Sequence, residues 1–270
     1  MDFLKQLATD PLSLGTASLH TFLLVFLRVG GMFIRAPFWG SGMFPANVRI
    51  WLSVAVALLL FPVQLNQHGA VILQQSSGVF LTACIAEFGL GLVIGFCAQI
   101  LLFGMLMAGH VIDNEMGFGL ATVFDPVTSE PTALTGQVLF LGAMLGFLAL
   151  DGHHTVLTAL NFSFARIPLC QASFSDDAVR WILLTLAPQV FVIGVTFAAP
   201  VLAAVLLTTM GLALMARVIP EMNIFAFSFT ARLIVGFVFL VFSVNYLAPV
   251  ADRLVQGTYG HLAAIIVRMG

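Results

Sequence analysis

Long apolar runs separated by short polar stretches set the pattern of the chain. They lie at about 15–34, 50–65, 78–112, 133–150, 180–215 and 223–248, with a weaker one at 259–268, and each predicts an apolar helix. A bilayer core takes roughly 20 helical residues, and several runs do not fit one simple crossing. The run at 50–65 is short and reads as half a hairpin, whereas those at 78–112 and 180–215 are too long for one straight span. Glu87 interrupts the first long run, and Pro188 and Pro200 predict kinks in the second. The expected fold is all-α: membrane-type helical hairpins with long, kinked or broken helices, fitted into a larger assembly. Residues 1–270 read as a single domain, with first hairpins to about 112, a loop at 113–131 and a second helical half from 132.

Composition agrees. The chain is 60% hydrophobic and 8% charged, with a mean hydropathy of +1.08. A soluble domain carries about 25% charged residues, so this is an integral membrane chain. The net charge of −2 gives no reason to expect nucleic acid. Cys84, Cys97 and Cys170 form no C-x-x-C pair, and the two in apolar runs read as buried thiols. The N-terminus lacks the charge pattern of a cleavable signal peptide. If the six runs alternate sides, Arg35, Arg49 and Arg217 share one side, which the positive-inside rule assigns to the cytoplasm.

The polar break at 113–131 (DNEMGFGLATVFDPVTSEP) changes the picture most. It carries Asp113, Glu115, Asp125 and Glu130 and no positive charge, with Met116, Phe118 and Phe124 spaced by Gly117 and Gly119. Met adapts its shape at low cost and glycine lets the backbone move, so this composition predicts a moving part. Non-helical backbone at membrane depth survives only when buried in protein or lining a cavity. Two G-x-x-x-G runs, Gly91–Gly95 and Gly142–Gly146, predict close helix contacts, within the chain or with another subunit.

Candidate chemistry is thin. Asp151 and His154 can share a helix face beside His153, but a metal would need a further ligand and no H-E-x-x-H occurs. The simpler reading is a polar helix end at which Gly152 permits the turn. His110 and Asp113 fit either a proton relay or a helix terminus entering the loop. Gly40-Ser41-Gly42 lacks the glycine that a membrane serine protease motif needs at Trp39. Arg28, Glu87 and Arg232 fall in or near apolar runs, where a lone charge is costly, so pairing is expected without the partners being evident. No catalytic residue, metal or cofactor is expected.

Five segments in order resemble the FliR/SctT family of export-gate proteins. They are Arg28-Val29-Gly30-Gly31 with Ala36-Pro37-Phe38-Trp39-Gly40 and Phe44-Pro45-Ala46-Asn47-Val48-Arg49; Glu115-Met116-Gly117-Phe118-Gly119-Leu120-Ala121 with Asp125-Pro126; Asp151-Gly152-His153, where the family has N-G-H; Ala199-Pro200-Val201-Leu202; and Pro220-Glu221-Met222-Asn223-Ile224-Phe225. Arg232 stands where the family often has Lys, without the preceding Pro. The resemblance spans about residues 20–248 and implies a non-enzymatic core subunit of the type III export gate. Such a subunit joins FliP- and FliQ-like subunits, with FlhB-like and FlhA-like components and the basal-body ring as further partners, in the bacterial inner membrane. Unfolded flagellar substrates pass through the channel, and the loop at 113–131 plugs it. Met116, Gly117, Phe118, Gly119 and Phe124 would form the plug, and Asp113, Glu115, Asp125 and Glu130 its polar flanks. Arg28, Arg49, Glu87, Asp151, His153, Pro220 and Asn223 would serve structure or assembly. The rival reading is a proton-coupled secondary transporter using His110, Asp113, Glu115 and Asp151; it predicts an inverted repeat, and none is evident. An intramembrane enzyme centred on Asp151–His154 lacks a complete motif.

Overall fold

The structure, a computed structural model, describes residues 11–40, 44–72, 77–118, 134–172, 174–218, 224–244, 257 and 260–269. Among these residues the fold is all-α. Helix α1 is Pro11–Arg35, α2 Ala46–Ile72, α3 Ser77–Met116, α4 Leu134–Ala149 and α5 Gly152–Arg166. Short α6 (Asp176–Trp181) continues through a π-helical turn (Ile182–Leu186) into α7 (Ala187–Val218), and α8 is Ile224–Val244. A last helix, α9, covers Gly260–Met269. Among the described residues five helices are long and apolar enough to cross a membrane, or six if the broken pair α4–α5 counts as one span.

Three expectations change. Helix α2 runs to Ile72 with Pro62 inside it, so the run at 50–65 is the apolar part of a full-length helix. Helix α3 is one continuous helix of 40 residues, not a stacked or broken pair. At 1.5 Å per residue that is about 60 Å. In the other long run the irregularity is the π-helical turn, upstream of both prolines. Pro188 is the second residue of α7, directly after the π-helical turn, and Pro200 sits within a helix that continues to Val218.

The chain sorts into two compact units, and α3 contributes to both. One unit holds α1, α2, α3 up to Gln99, α5, α6 and α9. Here α1 and α3 meet backbone to backbone. A methyl group on Gly91 would strike the Arg28 carbonyl, and one on Gly95 would lie 2.6 Å from the Met32 carbonyl. The first G-x-x-x-G pair is thus a contact face for α1. The other unit holds α3 from Ile100, α4, α7 and α8. In the apolar windows of α2 and α8 only 17% of residues are buried within the chain, against 44% in α1. Their remaining apolar surface suits lipid or further subunits.

Candidate functional site

The polar segment begins inside the second unit, at the end of α3. Asp113 is still helical and is buried. Its carboxylate accepts the Thr135 N–H, at 3.0 Å to Oδ2 and 3.3 Å to Oδ1. Thr135 is in the first turn of α4, where N–H groups lack helical partners, so Asp113 caps α4 from another helix. The two helices approach closely enough for this because Gly109 lies against Gly136; a Cβ on Gly109 would overlap the Gly136 backbone. His110, Asn114 and Glu115 are exposed, and Asp113 points away from them into this contact.

The sequence then stops the helix. Gly117 has φ 90°, a left-handed conformation that glycine adopts without penalty. Its N–H donates to the Asn114 carbonyl at 3.2 Å, and the Phe118 N–H donates to the Asp113 carbonyl at 3.0 Å. That bonding pattern is a Schellman cap. Met116 is fully buried, with its Sδ 2.7 Å from where a Gly236 Cβ would stand. The Phe118 ring stands edge-on to Phe237, 6.0 Å between centroids. The start of the loop is therefore fastened to α8 by two side chains in succession. Gly119, Phe124, Asp125 and Glu130 lie outside the described residues, as do Pro220 and Asn223.

The first unit contains the pairing that sequence could not assign. Arg28 of α1 and Glu87 of α3 are fully buried and form an ion pair, Nε to Oε2, at 2.5 Å. The guanidinium also donates to the Ile167 carbonyl at 3.1 Å and Ser163 Oγ at 3.4 Å, and lies 4.4 Å from the Phe164 ring centroid. Glu87 Oε1 accepts the Cys170 N–H at 3.1 Å. Both charges thus have several partners, as buried charges require. The cluster ties α1, α3, α5 and the segment after α5 together. Cys170 has φ 68°, and its thiol pKa is pushed up to about 11 by burial first and by Glu87 second. Arg49 near the start of α2 donates from Nη2 to the Phe44 carbonyl at 3.1 Å.

Asp151 stands exposed between α4 and α5 with φ 54°, while Gly152 is the first residue of α5. The turn expected of Gly152 is made by Asp151. The His153 and His154 rings lie 4.6 Å apart, and within this one turn of chain Asp151, His153 and His154 each offer a ligand-type atom within 4.8 Å of the others.

Apolar spans, a helix pair broken at a left-handed residue and an acid- and glycine-rich loop rooted on a spanning helix define an all-α membrane protein. Residues 19–258 match the family described as "Bacterial export proteins, family 1", and the chain belongs to that family. It is 27% identical over 258 residues to the flagellar biosynthetic protein FliR of Bacillus subtilis, covering 92% of this chain and 95% of that protein. It is 30% identical over 232 residues to FliR of Caulobacter vibrioides, covering 85% and 91%. Similarity extends to the surface presentation of antigens protein SpaR of Shigella flexneri, at 27% over 230 residues, covering 83% and 86%.

Proposed function

We propose that the chain is a non-enzymatic core subunit of a type III protein export gate in the bacterial inner membrane, at the flagellar basal body. With FliP- and FliQ-like subunits it forms the channel for unfolded flagellar proteins, next to FlhB-like and FlhA-like components and the basal-body ring. The loop from 113 to 131 closes that channel. The observation that carries this reading is the fastening of Met116 and Phe118 on α8, which launches an acid- and glycine-rich segment from a fixed point. A closure element needs a rigid root and a yielding tip. Met116, Gly117 and Phe118 form the root; Gly119 and Phe124 supply a deformable apolar seal, which can hold back ions by excluding water. Asp125 and Glu130 keep the rest of the segment polar. The outward apolar faces of α2 and α8 leave room for neighbouring subunits. Asp113, one of the four groups that a proton-coupled transporter would use, instead accepts the Thr135 N–H as a cap on α4, which favours the gate reading.

The test is co-purification with small helical membrane subunits, combined with deletion of residues 119–124. That deletion spares the root, so the complex should assemble while small-ion leakage rises. Unchanged conductance in an assembled complex would dismiss the plug. A chain that purifies alone, with ligand-dependent stability, would favour a transporter.

A further inference from the structure

Between α1 and α2 lies an apolar slot of about 120 Å³, wholly within the first unit. Its lining includes Phe26, Gly30 and Ile34 of α1, Arg49 and Ser53 of α2, and Phe88 of α3. For scale, a dry cavity of roughly 150 Å³ binds one benzene molecule, so the slot has room for one apolar side chain. Gly30 opens it, because a Cβ added there would meet nothing within 4 Å. The neighbouring Gly31 is the opposite case: a Cβ on it would lie 2.5 Å from the Phe88 carbonyl of α3. One glycine thus serves packing inside the chain, and the other leaves a notch that the chain does not fill.

Arg49 brings charge to the slot. Its Nη2 donates to the Phe44 carbonyl, but its Nε is buried and has no hydrogen-bond partner. Ser53 does not supply the acceptor, since its hydroxyl donates to the Arg49 carbonyl at 2.8 Å. A buried guanidinium N–H without an acceptor is costly, and a carboxylate is the protein group that matches it best. Beyond the slot the same face of α1 stays apolar and uncovered. Leu19, Leu23, Leu27, Gly30 and Ile34 recur at three- and four-residue spacing and so form one stripe. Leu19, Leu23 and Ile34 are exposed, the other two half-buried, and exposed Ile50 of α2 continues the rim. From Leu19 to Ile34 the stripe is about 22 Å long. A straight apolar stripe with a notch in it suits a second helix, whose side chains pack as ridges into such grooves.

We propose that an apolar helix of a neighbouring subunit lies along the Leu19–Ile34 stripe, inserts one side chain beside Gly30 and sets a carboxylate on Arg49 Nε. The inference rests on the reading of the chain as one subunit of a helical assembly, and it requires no particular position in a membrane. It specifies the occupant: a helix of at least about four turns, apolar along one face, with an Asp or Glu within one turn of the residue that fills the notch. Donor count favours a carboxylate over a phosphate. Arg49 is the one cation among the described lining residues, and a single unpaired N–H serves one carboxylate oxygen but leaves most of a phosphate unmatched.

The experiment places a photo-crosslinking residue at Ile34 or at Leu23 of the full chain, in cells that make its native partners, and maps the captured peptides by mass spectrometry. Both positions should capture one helix of one other subunit, at sites about 16 Å or 11 residues apart. An Asp or Glu should lie within a turn of the site captured from Ile34. Arg49→Glu then sets two carboxylates face to face and should lower co-purification of that subunit at least about tenfold. Changing the partner's acid to Arg in the same cells should restore most of it, which a role for Arg49 in the chain's own turn would not allow. Gly30→Leu fills open space, so it should cut the Ile34 crosslink about tenfold while the melting temperature of the full chain stays unchanged. That variant keeps the test decisive if Arg49→Glu does not fold. Capture of lipid alone, a captured helix with no nearby acid, failure of the charge swap in a folded Arg49→Glu chain, or a crosslink indifferent to Gly30→Leu would each overturn the proposal and leave the gate reading standing, provided the complex still assembles. A chain that co-purifies with no other subunit would overturn both.

Discussion

Arg28 and Glu87 are 59 positions apart in sequence and form one fully buried ion pair between α1 and α3. Removing one partner leaves the other charge buried and unmatched, a loss of about 3–5 kcal/mol. Arg28→Met and Glu87→Leu alone should each sharply reduce folded protein extracted from membranes and lower its melting temperature. The double variant should recover most of the loss, because an apolar pair of similar volume avoids the desolvation cost. Equal damage in the double and single variants would mean that the hydrogen bonds to Ile167 and Cys170, not the pairing, hold this region.

Cys170 reports on the same cluster. Burial and then Glu87 push its thiol from 9.0 to about 11. Only the thiolate is alkylated, so at pH 8 a two-unit rise lowers reactivity about a hundredfold relative to an unperturbed thiol. In a background where Cys84 and Cys97 are serine, the alkylation rate should keep climbing with pH past 9 and level off near 11. A plateau near 9 would show that Cys170 is solvated and the cluster open.

Asp113 should behave as a cap. Replacing a capping carboxylate by Ala costs about 0.5–2 kcal/mol, whereas Asn keeps an oxygen that can accept the Thr135 N–H. Asp113→Ala should therefore lower stability and export together, and Asp113→Asn should retain both. A proton relay would lose export in either variant, so a stable but inactive Asp113→Asn protein would restore the transporter reading.

The root of the loop can be loosened from the opposite side. Gly236 has no room for a larger side chain unless Met116 moves. Gly236→Val should evict Met116 at about 1–3 kcal/mol, a typical overpacking cost, and raise ion leakage in the assembled complex. Met116→Leu, which nearly conserves volume, should leave leakage low. Leakage unchanged by Gly236→Val would separate the root from closure.

Hydropathy made most of the spans legible, but their ends and joints depended on partners distant in sequence. Glu87 looked like a break because its partner lies 59 residues away; paired with Arg28, it sits inside an unbroken α3. Helix α5 escaped notice because His153, His154, Thr155, Thr158 and Asn161 dilute its apolar face; Val156, Ala159, Leu160 and Phe164 still bury. Helix α2 outlasts its apolar run through Asn66, Gln67 and His68, which carry helical backbone but little hydropathy. The stop at Gly117 was visible as a glycine after a polar helix end, yet read as freedom to move rather than as a cap. That Asp113 would cap a helix 22 residues on depends on Gly109 meeting Gly136, and no local pattern encodes it.

The break between α4 and α5 yields the last prediction. Asp151 holds φ 54°, a left-handed conformation that costs most L-residues about 1–2 kcal/mol and is best tolerated by Gly, Asn and Asp. The requirement is conformational, so Asp151→Asn and Asp151→Gly should leave melting temperature and assembly nearly unchanged. Asp151→Val should lose about 1–2 kcal/mol, since a β-branched residue resists that conformation. The competing account is chemical, because Asp151, His153 and His154 lie close enough together to hold an ion. The two diverge in the Asn variant, which keeps the backbone geometry and removes the carboxylate charge. Metal content of the purified complex, measured with melting temperature for Asp151→Asn, His153→Ala and His154→Ala, separates them. Sub-stoichiometric metal throughout, with only Asp151→Val destabilised among the Asp151 variants, fits a turn whose work is to break the span. Stoichiometric zinc that disappears in all three of the metal-tested variants, with stability falling alongside it, would replace the conformational account with a metal-centred one.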